Sequence, residues 1–360
     1  MGGNLPVDGA LFLEFLPFVS GNMLTMLSVW WPVGQLIGSL LAWAYIPNYS
    51  CAGYEGCTKE KNMGWRYLVL TLGAITFVMF ILRFFFFHLH ESPKYLLSRG
   101  RQEEAVASVH GIAYKNGTQT WLTNEILNEI GGYPEGQEEK TKLSYGQIVG
   151  RFFSKFSMER IGPLFANKRM GFNTALLWFC WATIGMGYPL FNAFLPQYLA
   201  TSGGEANSNY ITYRNYAITS IVGLPGSILA CWTVEIKYIG RKGTMAIATL
   251  ITGVLLFCFT ASTNSGIQLL CSCLEAFFQN IMYGVLYAYT PETFPAPNRG
   301  TGTGISSCLN RIAGLCAPLV AIYAGSANPN SPIYASGALI LASFVAMCLL
   351  PIETRGKQTL

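Results

Sequence analysis

The sequence predicts an all-α, polytopic membrane protein, and three observations predict it. Hydrophobic residues fill 51% of the 360 positions and charged residues only 11%, less than half the roughly 25% charge of a soluble domain. The mean hydropathy is +0.36. The apolar residues also gather into runs of about 20, the length a helix needs to cross a bilayer. Those runs are rich in Gly, Ala, Ser and Phe and show little two-residue alternation, which favours helices over a barrel. The composition excludes a disordered chain, a nucleic-acid-binding domain and most soluble enzymes.

Nine spans are expected, at residues 4–17, 24–46, 67–88, 171–200, 217–234, 244–262, 267–289, 301–324 and 333–350. The first is short and polar. Orientation follows from the 23 Lys and Arg residues. Eleven lie between Lys94 and Arg169. If that stretch is cytoplasmic and the spans alternate, cytoplasmic loops hold 17 and the opposite loops four, with Arg83 and Arg311 inside spans. This places Met1 and the loop at 47–64 outside, and a chain that begins almost inside a span reads as incomplete.

The division expected is a three-helix remainder of an N-terminal half (1–90), a cytoplasmic loop with short surface helices (91–169), a six-helix half (170–351) and a tail (352–360). Within the loop, Ser92 is a cap and Pro93 a first-turn residue. Residues 102–110 and 121–130 have short helical patterns, and 132–140 reads as a flexible acidic linker. Asn48-Tyr49-Ser50 is a glycosylation acceptor close to the membrane; Asn116-Gly117-Thr118 is one on the cytoplasmic side, where it is silent.

The ten cysteines form no CxxC pair. Eight sit in apolar runs as small hydrophobes. Cys51 and Cys57 lie in the outer polar loop and could form a disulfide if it faces an oxidising compartment. There is no Walker loop and no metal cluster, and His88, His90 and His110 have no partners at useful spacing. No cofactor, metal, nucleic-acid partner or catalysis is expected.

Three charged turns join helices on the basic face: the segment from Glu91 to Arg101, Gly240-Arg241-Lys242-Gly243, and Pro291-Glu292-Thr293-Phe294-Pro295 followed by Asn298-Arg299-Gly300-Thr301-Gly302. Carboxylates and guanidinium groups there can bridge helix ends. These segments resemble the loop signatures that follow the sixth, eighth and tenth helices of sugar-porter-like members of the major facilitator superfamily. Glu14 and Pro17 resemble the E-x-x-P of the fourth helix of fungal members, and Gln35-Leu36-Ile37-Gly38 the Q-x-x-G of the fifth. The resemblance covers essentially the whole chain. It implies a twelve-helix fold of two halves with a midplane substrate site, and it makes the first span here the family's fourth helix, with three helices missing. It further implies transport of a small organic solute by rocking of the halves, with proton coupling, at the plasma or vacuolar membrane. A non-transporting product or a solute-sensing relative is the alternative. Oligomeric state is not legible.

Ionisable groups inside a bilayer are costly and therefore functional candidates. Asp8, Glu14, Glu292, Arg299 and Arg311 are candidates for coupling or gating. Arg311 lies eleven residues past Gly300, about 16 Å along a helix, and needs a partner such as Glu275 or Glu292; a fixed ion pair and a gating role both remain open for it. Candidate solute contacts are Gln35, Trp181, Tyr188 and Asn192, with Glu275, Gln279 and Tyr283 as a second stripe. Amides hydrogen-bond polar solutes while rings cover their flat faces, which suits a sugar-like solute or an organic anion. Gly185, Gly187 and Pro189 are read as a local weakness for a gate.

Overall fold

The computed structural model describes residues 9, 11–13, 15, 22–51, 57–86, 91–98, 100–131, 161–200, 208–295, 298–328 and 330–356. Among them there is no strand, and eight helices are long and apolar enough to cross a membrane. Twelve helices carry the description: α1 Asn22–Tyr49, α2 Gly64–Phe86, α3 Pro93–Ser98, α4 Gln102–Lys115, α5 Asn124–Gly131, α6 Lys168–Asn192, α7 Leu195–Ala200, α8 Asn209–Thr233, α9 Gly240–Ala261, α10 Ser265–Thr293, α11 Arg299–Ala327 and α12 Ser331–Leu349. All eight spans expected from residue 24 onward coincide with these helices. Of the span expected at 4–17, residues 9, 11–13 and 15 are described and helical, and Leu13 is buried with Leu24 and Ala288.

Several helices outrun their apolar stretch. α10 and α11 have 29 residues each, about 43 Å at 1.5 Å per residue, so their charged ends stand beyond the roughly 30 Å hydrocarbon layer. α6 departs from a single rod: it ends at Asn192, and α7 resumes at Leu195.

The helices pack as a chain of neighbours. α6 lies against α11 and α12, α12 against α9, and α9 against α10. α10 lies against α8, α8 against α1, and α1 against α2. The buried core runs through the middle of this array, with Leu177, Trp181, Ile184, Met245, Met282, Leu286 and Tyr289 essentially inaccessible. Small residues set the spacing, as packing in lipid requires. A side chain on Gly226 of α8 would collide with the Phe277 carbonyl of α10. One on Gly185 of α6 would stand 2.8 Å from Cα of Asn310 on α11. Gly185 is therefore a site of close helix approach, and the helix runs unbroken through Gly185, Gly187 and Pro189; the break in this element comes at residues 193–194.

The loop helices follow local rules. The Ser92 hydroxyl accepts from the Tyr95 amide at 3.2 Å, capping α3. Arg101 pairs with Glu104 in the first turn of α4, and that carboxylate raises the guanidinium pKa above its ordinary value. His110 ties α4 to the approach of α5 by a 2.8 Å contact with the Leu122 carbonyl. The linker expected at 132–140 lies outside the described residues.

Between α1 and α2, Cys51 and Cys57 form a disulfide. A membrane-impermeant maleimide should therefore label neither in intact cells until an impermeant reductant is added outside. Labelling without reductant, or only after permeabilisation, would contradict the pairing or the orientation.

Candidate functional site

α10 and α11 touch little, and the space this leaves is bounded by α6 and α11 on one side and α1, α8 and α10 on the other. It holds a cavity of about 730 Å³. α1 contributes Trp31 and Gln35, α6 Gly185, Tyr188 and Pro189, and α8 Tyr216. α10 contributes Asn280, Tyr283 and Tyr287, and α11 Asn310, Arg311, Gly314 and Leu315.

The lining has a defined pattern. Trp31 meets Tyr287 edge-on with ring centres 4.0 Å apart, and Tyr287 stacks at 6.1 Å on Tyr283. Tyr283 meets Tyr188 edge-on at 5.4 Å. The result is a continuous aromatic wall that crosses from α1 through α10 to α6. Polar groups interrupt it: Gln35 faces Tyr216, Asn280 donates to the Gly223 carbonyl at 3.1 Å, and Asn310 donates to the Trp181 carbonyl at 3.2 Å. Arg311 is the one charged side chain in the lining. It is exposed to the cavity and has no hydrogen-bond or ion-pair partner among the described residues.

Four expected residues thus come together around one space: Gln35, Tyr188, Tyr283 and Arg311. Four others lie behind the wall. Trp181 is 1% exposed, donates from Nε1 to the Thr290 hydroxyl at 3.0 Å, and braces Tyr287 edge-on at 4.5 Å. Asn192, Glu275 and Gln279 form their own buried triad. The Asn192 amide donates to Glu275 Oε1 at 3.2 Å and to Gln279 Oε1 at 3.0 Å. Asp8 and Glu14 lie outside the described residues.

Neither carboxylate expected to serve Arg311 does so. Glu275 is held by Asn192, and Glu292 pairs with Arg241, Nε to Oε2 2.7 Å, with both side chains about 95% buried. This pair fastens the end of α10 to the start of α9. Beside it Gly240 takes φ 61°, a left-handed conformation that glycine adopts freely, and Glu353 sits against it. The Glu353 carboxylate accepts from the amides of Arg241 and Lys242, both at 3.1 Å, satisfying the open N–H groups of a helix start. Arg299 donates to the Pro291 carbonyl at 2.8 Å, Arg169 to that of Pro351 at 2.7 Å, and Tyr289 to that of Ile352 at 2.7 Å. The second and third charged turns, with Arg169 and Glu353, thus build one clamp joining the ends of α6, α9, α10, α11 and the segment after α12. Glu292 and Arg299 belong to it and not to the cavity.

Sequence reasoning missed Trp31, Tyr216, Asn280, Tyr287 and Asn310. A signal for two of them was present: Asn280 and Tyr287 are spaced i and i+7 about the expected Tyr283 at i+3 and share its helix face. The adjacent stripe of Glu275, Gln279 and Tyr283 is equally regular, and only the packing of α10 separates the two.

Among the described residues no group of three or more His, Cys, Asp or Glu could hold a metal. The cavity offers aromatic faces, amides and a free guanidinium, which is equipment for binding.

The Major Facilitator Superfamily domain matches residues 215–360. The chain is 45% identical over its full length to MFS siderochrome iron transporter 1 of Ceriporiopsis subvermispora, covering 69% of that protein. It is 40% identical, again over its full length, to the major facilitator-type transporter hxnZ of Emericella nidulans, covering 66% of it. It thus spans about two thirds of the length of these relatives. The structure aligns over 99% of the chain with 69% of the proton:xylose symporter XylE, at a TM-score of 0.65 and 18% identity, a likeness of fold. Full-length similarity at this level, together with the eight apolar helices and their packing, makes the chain an integral multi-pass membrane protein that belongs to the major facilitator superfamily.

Proposed function

We propose that the cavity binds a small organic anion carrying a flat or ring-shaped body, and that the chain moves it across the membrane by alternating access. The observation that carries this reading is Arg311, a guanidinium exposed to a cavity with no carboxylate in its lining. A guanidinium at membrane depth is costly without a counter-charge, and its planar fork suits a carboxylate. The tyrosine and tryptophan wall supplies faces for an apolar ring, and Gln35, Asn280 and Asn310 supply orienting hydrogen bonds. A sugar would use the amides and rings but would leave the charge unanswered, so the anion is favoured over the sugar-like alternative.

On this reading residues 1–90 and 170–351 belong to the two moving halves, 91–169 connects them on the cytoplasmic side, and 352–360 is a tail. The clamp of Glu353, Arg241 and Glu292 would secure the cytoplasmic end of the second half. Coupling to protons and a place in the plasma or vacuolar membrane belong to the same proposal.

The test compares benzoate with its uncharged isostere benzamide on the purified chain in lipid nanodiscs. Benzoate should bind at least about 10-fold more tightly, the equivalent of 1.4 kcal/mol; equal affinities would remove the anion reading. Uptake of labelled benzoate into vesicles containing the chain should accompany binding. Because the chain spans about two thirds of its relatives' length, binding without uptake would select the sensing alternative.

A further inference from the structure

We infer that α1 carries a joint at Leu27–Val29, and that this joint moves Trp31 on and off the cavity as a cover. α1 is regular helix over Asn22–Met26 and over Trp30–Tyr49, but the three residues between them are wound as a 3-10 turn. Such a turn inside a long helix often marks a hinge. The sequence supplies its cause. An α-helix continued through this stretch would place the amide of residue 32 on the Ser28 carbonyl. Residue 32 is Pro, which has no N–H and whose ring crowds the carbonyl four positions back.

The two parts of α1 rest on different neighbours. Asn22–Val29 lies on α8 and α10, whereas Trp30–Tyr49 lies on α8 and α2. Ser28 is 5% exposed, and its hydroxyl donates to the Thr25 carbonyl at 2.6 Å. It nests against Gly284 of α10, where a Cβ would stand 2.5 Å from Ser28 Oγ. Thr25 is fully buried, and its hydroxyl has no partner among the described residues. An unanswered buried hydroxyl raises the energy of this arrangement and lowers what it takes to leave it. Pro32 thus favours the tight winding and Thr25 opposes it.

Trp31 stands just past the joint and lines the cavity, half-buried, its ring 4.0 Å from that of Tyr287. A 3-10 turn advances about 120° and 2.0 Å per residue, an α-helix about 100° and 1.5 Å. Rewinding three residues therefore turns Trp31 by about 60° and shifts it by about 1.5 Å against the anchored first segment. That is enough to part the two rings. The 3-10 winding closes the aromatic wall over the cavity, and the α winding opens it on the α1 side. The joint itself does not depend on a solute; its use to admit a flat anion rests on the transport reading above.

The experiment is fluorine NMR of the purified chain in lipid nanodiscs, with 5-fluorotryptophan at position 31. The unaltered chain should give two resonances, one of which marks the ring against Tyr287 and disappears in Tyr287→Leu. Pro32→Ala supplies the missing amide and should leave only the released resonance. Gly284→Ala crowds Ser28 from α10 and should lower the closed share by a separate route. A single resonance in the unaltered chain, or a closed share that both Pro32→Ala and Gly284→Ala leave unchanged, would overturn the joint. Benzoate should raise the closed share. A chain whose resonances answer to these variants but not to benzoate would keep the joint and sink only its use by the anion.

Discussion

Replacing Arg311 by Gln is expected to weaken benzoate binding by about 10- to 150-fold while leaving the fold intact. The size follows from the loss of hydrogen bonds to a charged group, about 1.5–3 kcal/mol, at 1.4 kcal/mol per factor of ten. Benzamide, which carries no charge, should lose little, so the preference between the two probes should collapse. Lysine at the same position keeps the charge and loses the planar fork, and it should recover part of the binding. Stability should hardly move, because Arg311 is exposed to the cavity and has no partner among the described residues; such a position costs within about 0.5 kcal/mol on substitution. The thermal midpoint of the purified variant checks this separately from binding. An unchanged benzoate affinity would remove Arg311 from the site.

Arg241→Ala should do the reverse. Both members of the Arg241–Glu292 pair are about 95% buried, so removing the cation leaves a buried carboxylate unanswered, at a cost of about 3–5 kcal/mol. The loss should appear in denaturant unfolding followed by helical circular dichroism. Adding Glu292→Gln to Arg241→Ala removes the orphaned charge and should restore much of the loss, since uncharged replacements of a buried pair are often close to neutral. The clamp also explains why Glu353 matters: it closes the start of α9 next to the same pair. If the double variant is no more stable than Arg241→Ala alone, the pair is not what holds α9 to α10.

These two arginines mark the boundary of what was legible in the sequence. Both were singled out as charges at or within a span. Composition and run length placed the eight described spans, because the cost of exposing peptide groups to lipid permits little else. The Ser92 cap and the charged turns were local patterns and were readable as such. The facing of each helix was not. In lipid an outward surface is as apolar as the core, so α10 presents two polar stripes, and the sequence did not say that Asn280 and Tyr287 line the cavity while Glu275 and Gln279 lie behind it. Pairings between distant segments were equally hidden. Arg241 stands 51 positions from Glu292 and Asn192 stands 83 from Glu275, and each engages a carboxylate that spacing alone assigned to Arg311. Glu353 was overlooked because it follows the last span, where a lone carboxylate looks like part of a solvated tail. The early end of α6 was hidden by Phe194 and Leu195, which keep the stretch apolar across the break.

The most direct test of the anion site is a structure of the chain with 4-bromobenzoate bound. Density for the probe should appear in the cavity between α1, α6, α8, α10 and α11, its carboxylate on the Arg311 guanidinium and its ring against Tyr283 and Tyr287. Density for the probe elsewhere, or a carboxylate turned away from Arg311 with that side chain paired to a protein carboxylate, would contradict it.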